Sequence, residues 1–173
     1  MNLNKKSEIE IYMNIYKKYL TILLISVLPI LSYADITGKV VGITDGDTIT
    51  VLDSDKVQHK IRLTGIDAPE KKQAFGQKSK EALSDCAFAQ DVEIQGAKLD
   101  RYGRILGKVV AHGQDCNLRQ IELGLAWHYK KYEKTQPKND RAAYADMELK
   151  AINGKFGLWS DENSIPPWEF RHK

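Results

Sequence analysis

The sequence contains no apolar run long enough to cross a bilayer as a helix. Its most apolar stretch, Leu20 to Leu31, is interrupted by Pro29, whereas a spanning helix needs roughly 20 apolar residues. Cysteine is scarce: Cys86 and Cys116 are the only two, so at most one intramolecular disulfide is available. No grouping of histidine or cysteine suggests a zinc site. Strong charge of either sign is also missing, because the formal net charge is only +3. A phosphate-binding surface must then come from local clustering of Lys and Arg and not from a global field. Internal repeats and low-complexity segments are absent.

What stands at the N-terminus has the grammar of an export signal. Lys17 and Lys18 precede the apolar run, which ends in Ser32-Tyr33-Ala34, giving a positive region, an apolar region and small residues at a cleavage site. Residues 1–34 are therefore expected to be a cleaved signal peptide, with residues 35–173 as one domain; the apolar run is too short for an anchor. Glu8 and Glu10 make the leading segment unusually acidic, and Met13 offers an alternative start. Cleavage removes four Lys and two Glu, lowering the formal charge from +3 to +1. The expected location is the periplasm or the medium, with no stable membrane association after cleavage and a monomeric state. In that setting Cys86 and Cys116 suit either a disulfide or a pair of small buried thiols.

Along the mature chain, Ile36 to Leu63 alternates and is rich in Val, Ile and Thr, with breaks at Asp45-Gly46-Asp47 and Asp53-Ser54-Asp55. This predicts three antiparallel strands. From Phe75 to Gln90 the period changes, and Ser79, Ala82, Leu83, Cys86 and Ala87 form one helical stripe. Strands are expected again over Asp91–Gln95 and Ile105–Ala111. A second helix is expected after Asn117 as N-cap, running through Leu118, Ile121 and Leu125, and a third over Asp140–Asn153 with Gly154 past its end. Tyr144, Met147 and Ala151 would face inward. This order predicts a mainly β, α+β fold: a five-stranded Greek-key barrel of the OB type with three packed helices. The tail, residues 161–173, is expected to be an extended strap with Trp168 packed on the body, because Pro166-Pro167 disfavours a helix.

Three segments concentrate residues with a chemical use: Asp45-Gly46-Asp47-Thr48, Arg62 with Asp67-Ala68-Pro69-Glu70, and Asp100-Arg101-Tyr102-Gly103-Arg104. Asp47, Asp67 and Glu70 supply hard carboxylate oxygens of the kind Ca²⁺ prefers, and the turn at Ala68-Pro69 can add a backbone carbonyl. Arg62 and Arg104 are planar forks able to pair bidentately with phosphate oxygens. Glu70 is placed to orient or deprotonate a water. Taken singly, each has a plain alternative: a hairpin Asp-Gly, a turn before Pro, or half of a surface ion pair. Asp45 serves equally well as a turn residue. His128 reads as a packed or surface residue sooner than a base.

At these motifs, DGDT at 45–48, RLTGIDAPE at 62–70 and DRYGR at 100–104, the sequence resembles the staphylococcal (micrococcal) nuclease family. GLA at 124–126 and GLW at 157–159 extend the likeness over nearly the whole mature chain. The resemblance implies calcium-dependent hydrolysis of DNA and RNA to products with 3′-phosphate ends. It implies Asp47, Asp67 and the Ala68 carbonyl as calcium ligands, and Arg62, Glu70 and Arg104 as catalytic residues. Arg101, Tyr102 and Tyr132 match a substrate-binding set. Lys130 replaces a tyrosine of the family pattern, and Lys130 and Lys131 can offer phosphate contacts instead. The competing expectation is a non-catalytic OB-type module that binds nucleic acid or peptide; the complete set of five charged residues separates the two.

Overall fold

The computed structural model describes residues 36–172 together with residues 10, 12–14 and 16, the latter helical and part of a separate N-terminal unit. The expected signal's apolar run and cleavage site lie outside the described residues. Among the described residues no helix is long and apolar enough to cross a membrane.

From Ile36 onward the described residues form eight strands and four helices, in chain order. They are β1 Ile36–Asp45, β2 Thr48–Leu52, β3 Gln58–Leu63, β4 Ile66–Asp67, α1 Gly76–Ala87, β5 Asp91–Leu99, β6 Ile105–Ala111, β7 Gln114–Asp115, α2 Cys116–Glu122, β8 Trp127–His128, α3 Lys138–Asn153 and the single turn α4 Pro167–Phe170. Short 3₁₀ segments at Lys130–Thr135 and Gly157–Ser160 flank α3. The strands run β3-β2-β1-β5-β6, and a parallel pairing of β3 with β6, Ile61 opposite Ile105, closes them into a five-stranded barrel.

Closure needs sharply coiled strands, and register shifts supply the bends. They fall in β1 between Val40 and Gly42 and between Ile43 and Asp45, and in β5 between Gln95 and Lys98. Gly96 sits in the β5 bulge at φ 119°, where a Cβ would meet the Leu106 carbonyl 2.8 Å away. The alternation legible in the sequence fills the interior: Ile49, Val51, Ile61, Leu63, Val92, Ile94, Val109 and Ala111 are buried. The helices cover this core with Leu83, Ala87, Ile121 and Tyr144.

The helices depart from expectation at their ends. Helix α1 stops at Ala87, because Phe88 turns extended and Ala89 takes a positive φ. The N-cap of α2 is Asp115, whose Oδ1 accepts from the Leu118 amide at 2.9 Å. Asn117 instead lies fully buried inside the first turn and bridges backbone segments. Its Oδ1 accepts from the Val109 amide at 3.0 Å and its Nδ2 donates to the Thr64 and Gly107 carbonyls. Helix α3 begins two residues early, directly after Pro137, and buries Tyr144 and Ala151. The left-handed residue beyond it is Lys155, while Gly154 keeps a negative φ. The tail is not wholly extended. Pro167 occupies the first turn of α4, where a missing N–H costs nothing, and Trp168 stacks on Tyr129 at 5.4 Å.

Cys86 of α1 and Cys116 of α2 are joined by a disulfide. It closes a loop of 30 residues, worth about 3 to 4 kcal/mol in the chain-entropy account. Reduction is expected to lower the thermal midpoint by roughly 10 °C, checked by calorimetry with and without reductant. Asn117→Ala removes the side-chain partner of the Val109 amide and of the Thr64 carbonyl, while the Gly107 carbonyl keeps the Thr64 amide, and is expected to cost about 2 kcal/mol. Urea unfolding checks this: a midpoint equal to that of the unaltered protein would show that the bridge contributes nothing.

Candidate active site

The site begins at the turn between β1 and β2. Asp45 Oδ1 accepts from the Asp47 amide at 3.1 Å, curling the chain so that Asp47 points inward. Gly46 is buried against Ser79 and Ala68, where any Cβ would collide. Its carbonyl accepts from Gln120 Nε2 at 2.6 Å, and the same amide donates to the Ser79 carbonyl at 2.8 Å. Thus α1 and α2 clamp the turn that carries Asp47.

The register of β2 against β3 places Thr48 opposite Arg62, which brings the guanidinium beside Asp47. Strand β4 pairs with β8, Asp67 opposite Trp127, and presents the Asp67 carboxylate to the other side of the same guanidinium. Arg62 Nη1 lies 2.5 Å from Asp47 Oδ2 and Nη2 lies 2.7 Å from Asp67 Oδ1. The Ala68 amide donates to Asp47 Oδ2 at 2.7 Å. Asp67 is fully buried and Asp47 nearly so, at 6% exposure. Burial pushes the Asp47 carboxyl up to about 7, Arg62 opposing the rise and Asp45 and Asp67 adding to it. Burial also works against the charge on Arg62, but Asp47 and Asp67 outweigh it and hold its pKa above the ordinary value.

Glu70 follows Pro69 at the mouth of this cluster, partly exposed, its amide donating to Gln73 Oε1 at 3.1 Å. A residue with no signal in the sequence joins it. Arg171, one residue past α4, lies with Nη2 2.7 Å from Asp67 Oδ2 and Nη1 2.7 Å from Glu70 Oε1. Its hydrogen bond to Asp67, more than the one to Glu70, raises its pKa above the usual guanidinium value. Arg171 is 104 residues from Asp67 in the chain, so neither spacing nor motif could have found it. Gln120 and Ser79 also went unforeseen, since a polar residue in a helix stripe gives no sign of what it clamps.

The structure therefore gathers Asp47, Arg62, Asp67, the Ala68 backbone and Glu70 in one place. Arg104 directly precedes β6, the strand beside β3, but among the described residues it makes no ion pair with that cluster. Its Nε donates to Asp100 Oδ2 at 2.7 Å. Slight burial opposes charge on Asp100, yet bonds from Arg104 and Tyr102 hold its pKa low. Tyr102 is exposed, with Arg101 and Arg104 stacked over its ring at 4.8 and 5.6 Å. Tyr132 is exposed as well, edge-on to Tyr129. Lys130 pairs with the buried Glu148, which leaves Lys131 as the freer of the two lysines. His128 is packed against Tyr144 and bonds to Gln136.

Asp47, Asp67 and Glu70 are oxygen donors suited to a hard cation, and the Arg171 guanidinium stands in for one between Asp67 and Glu70. Among the described residues no set of three His, Cys, Asp or Glu is arranged to hold a metal. The donors fit calcium in kind.

Comparison with known proteins points to one family. Residues 60–161 match the family described as Staphylococcal nuclease homologue. An Escherichia coli protein named "Uncharacterized endonuclease" is 42% identical over 141 residues, covering 81% of this chain and 88% of its own. A Haemophilus influenzae protein of the same name is 40% identical over 152 residues, covering 88% and 82%. A Shigella flexneri protein named "Micrococcal nuclease" is 40% identical over 149 residues, covering 81% and 83%. With a family match over more than half its length and such identity along most of it, this chain belongs to the staphylococcal nuclease family.

Proposed function

We propose that this chain is an exported, calcium-dependent nuclease that hydrolyses phosphodiester bonds of DNA and RNA and leaves 3′-phosphate ends. One observation carries the reading: Asp47 and Asp67, two buried carboxylates, share the guanidinium of Arg62 while Glu70 stands at their mouth. A binding module relieved of catalysis has no reason to keep the full set of Asp47, Arg62, Asp67, Glu70 and Arg104. Endonuclease or nuclease names on relatives at about 40% identity support the same reaction class. Export is supported by the signal-like N-terminus and by the Cys86–Cys116 disulfide, a bond that persists in oxidising compartments.

Asp47, Asp67 and the Ala68 carbonyl would hold calcium, which when bound supplies a Lewis-acid contact to a phosphate oxygen. Glu70 takes up the proton of the attacking water at its partly exposed carboxylate. Arg62 is oriented by the two carboxylates its terminal nitrogens contact, and its remaining N–H groups donate to the phosphate. Arg104, oriented by Asp100, approaches from the neighbouring strand and neutralises charge gathering on the phosphorus oxygens. Tyr102 and Tyr132 offer exposed faces for bases, and Arg101 and Lys131 offer contacts to the backbone.

The test is cleavage of single-stranded DNA and of RNA by the purified protein, in calcium and in chelator, with analysis of the product ends. Glu70→Gln is expected to lower turnover by about 10²- to 10⁴-fold. Arg104→Lys, which keeps charge but loses the fork, is expected to lower it by about 10²-fold or more with an unchanged circular dichroism spectrum. Intact nucleic acid in calcium with folded, unaltered protein would overturn the nuclease reading.

A further inference from the structure

The C-terminal turn brings a second cation to the acidic cluster. Arg171 takes both oxygens of Asp67, Nη2 at 2.7 Å from Oδ2 and Nη1 at 3.3 Å from Oδ1, and one of Glu70. Asp67 Oδ1 already accepts from Arg62. The fully buried Asp67 carboxylate is thus saturated by two guanidinium groups.

Arg171 is delivered by an anchor and not by a loose end. Pro167 is buried, and Trp168 stacks on Tyr129 and packs edge-on against Trp127, whose strand residue is the register partner of Asp67. The side-chain amide of Gln73 donates to the Ile165 carbonyl while its oxygen accepts from the Glu70 amide. One glutamine therefore ties the approach to α4 to the loop that carries Glu70.

We propose that Arg171 is a built-in latch: an intramolecular cation that occupies the Asp67–Glu70 position in the metal-free protein and must leave before a divalent cation can bind there. The proposal rests on the calcium reading given above. A cation that coordinates Asp67 competes with Arg171 for the oxygens that Arg171 now holds, and the charge of the guanidinium opposes a third cation on that carboxylate. Arg171 thereby weakens metal affinity and keeps the site idle where calcium is scarce. It also neutralises buried negative charge while the metal is away.

Calorimetric titration with CaCl₂ of the unaltered protein, Arg171→Gln and Arg171→Lys tests this without recourse to activity. Arg171→Gln is expected to bind Ca²⁺ at least tenfold more tightly, with Arg171→Lys between the two, and to melt at a lower temperature than the unaltered protein in chelator. Trp168→Ala, which unseats the anchor without touching a carboxylate, is expected to tighten binding in the same direction and keeps the test open if an Arg171 variant fails to fold. Equal, measurable Ca²⁺ affinity in the unaltered protein and the folded variants would overturn the latch alone. No calcium binding by any of the folded proteins would overturn the calcium reading and the latch with it.

Discussion

Asp47 and Asp67 can be buried side by side because Arg62 lies between them. Two carboxylates in a low-dielectric interior repel strongly, and each loses its hydration. The guanidinium answers both costs with a planar fork that donates to one carboxylate from each terminal nitrogen. The arrangement is sensitive to position, since a shift of one residue in any of the three segments would leave a buried charge unpaired. Much of the surrounding structure serves to prevent that shift.

The barrel does so by register. Thr48 opposite Arg62 ties the first hairpin to the third strand, and Asp67 opposite Trp127 ties the second carboxylate-bearing segment to the chain beyond α2. Gln120 and Ser79 then clamp the turn at Gly46 from two helices, and the Cys86–Cys116 disulfide binds those helices to each other. The closing pair of β3 with β6 brings the approach to Arg104 alongside Arg62. Bends at the bulges of β1 and β5 make that closure geometrically available. The site is thus set by non-local pairings, each contributed by a different stretch of sequence.

The five barrel strands and the three larger helices were legible because burial follows period: two for β6, where Ile105, Gly107, Val109 and Ala111 face inward, and three or four for α1; the two-residue strands β4, β7 and β8 were not, and β5 runs past the expected Gln95 to Leu99 through its bulge. The nearness of Asp47, Arg62, Asp67 and Glu70 was legible because their motifs are local and ordered. Legibility failed where a side chain reaches across the fold. Asn117 has the chemistry of an N-cap, and a neighbouring Asp115 has it too; only the third dimension shows that Asp115 caps while Asn117 bridges β6 to Thr64. Pro166-Pro167 suggested an extended strap, yet a proline is compatible with a first helical turn, and that turn aims Arg171 at Asp67. Arg104 was grouped with the carboxylates by motif, whereas its own partner is Asp100 four residues away.

The near-neutral charge of the chain takes on meaning in this setting. A strongly basic protein would attract nucleic acid to every face and would screen its own buried acids poorly in specific geometry. Here the cations are few at the site and individually placed: Arg62 inside, Arg104 on the adjoining strand, Arg171 from the tail. Asp47, Asp67 and Glu70 carry three formal negative charges against Arg62 and Arg171, so the metal-free cluster remains one charge short of balance, and the Asp47 carboxyl is pushed up to about 7 by its burial and its acidic neighbours. On the calcium reading, exchanging the single charge of Arg171 for a divalent cation would remove that deficit. The carboxylates that demand a counterion for the fold would then be those that hold the metal, so that stability and chemistry would draw on one electrostatic imbalance.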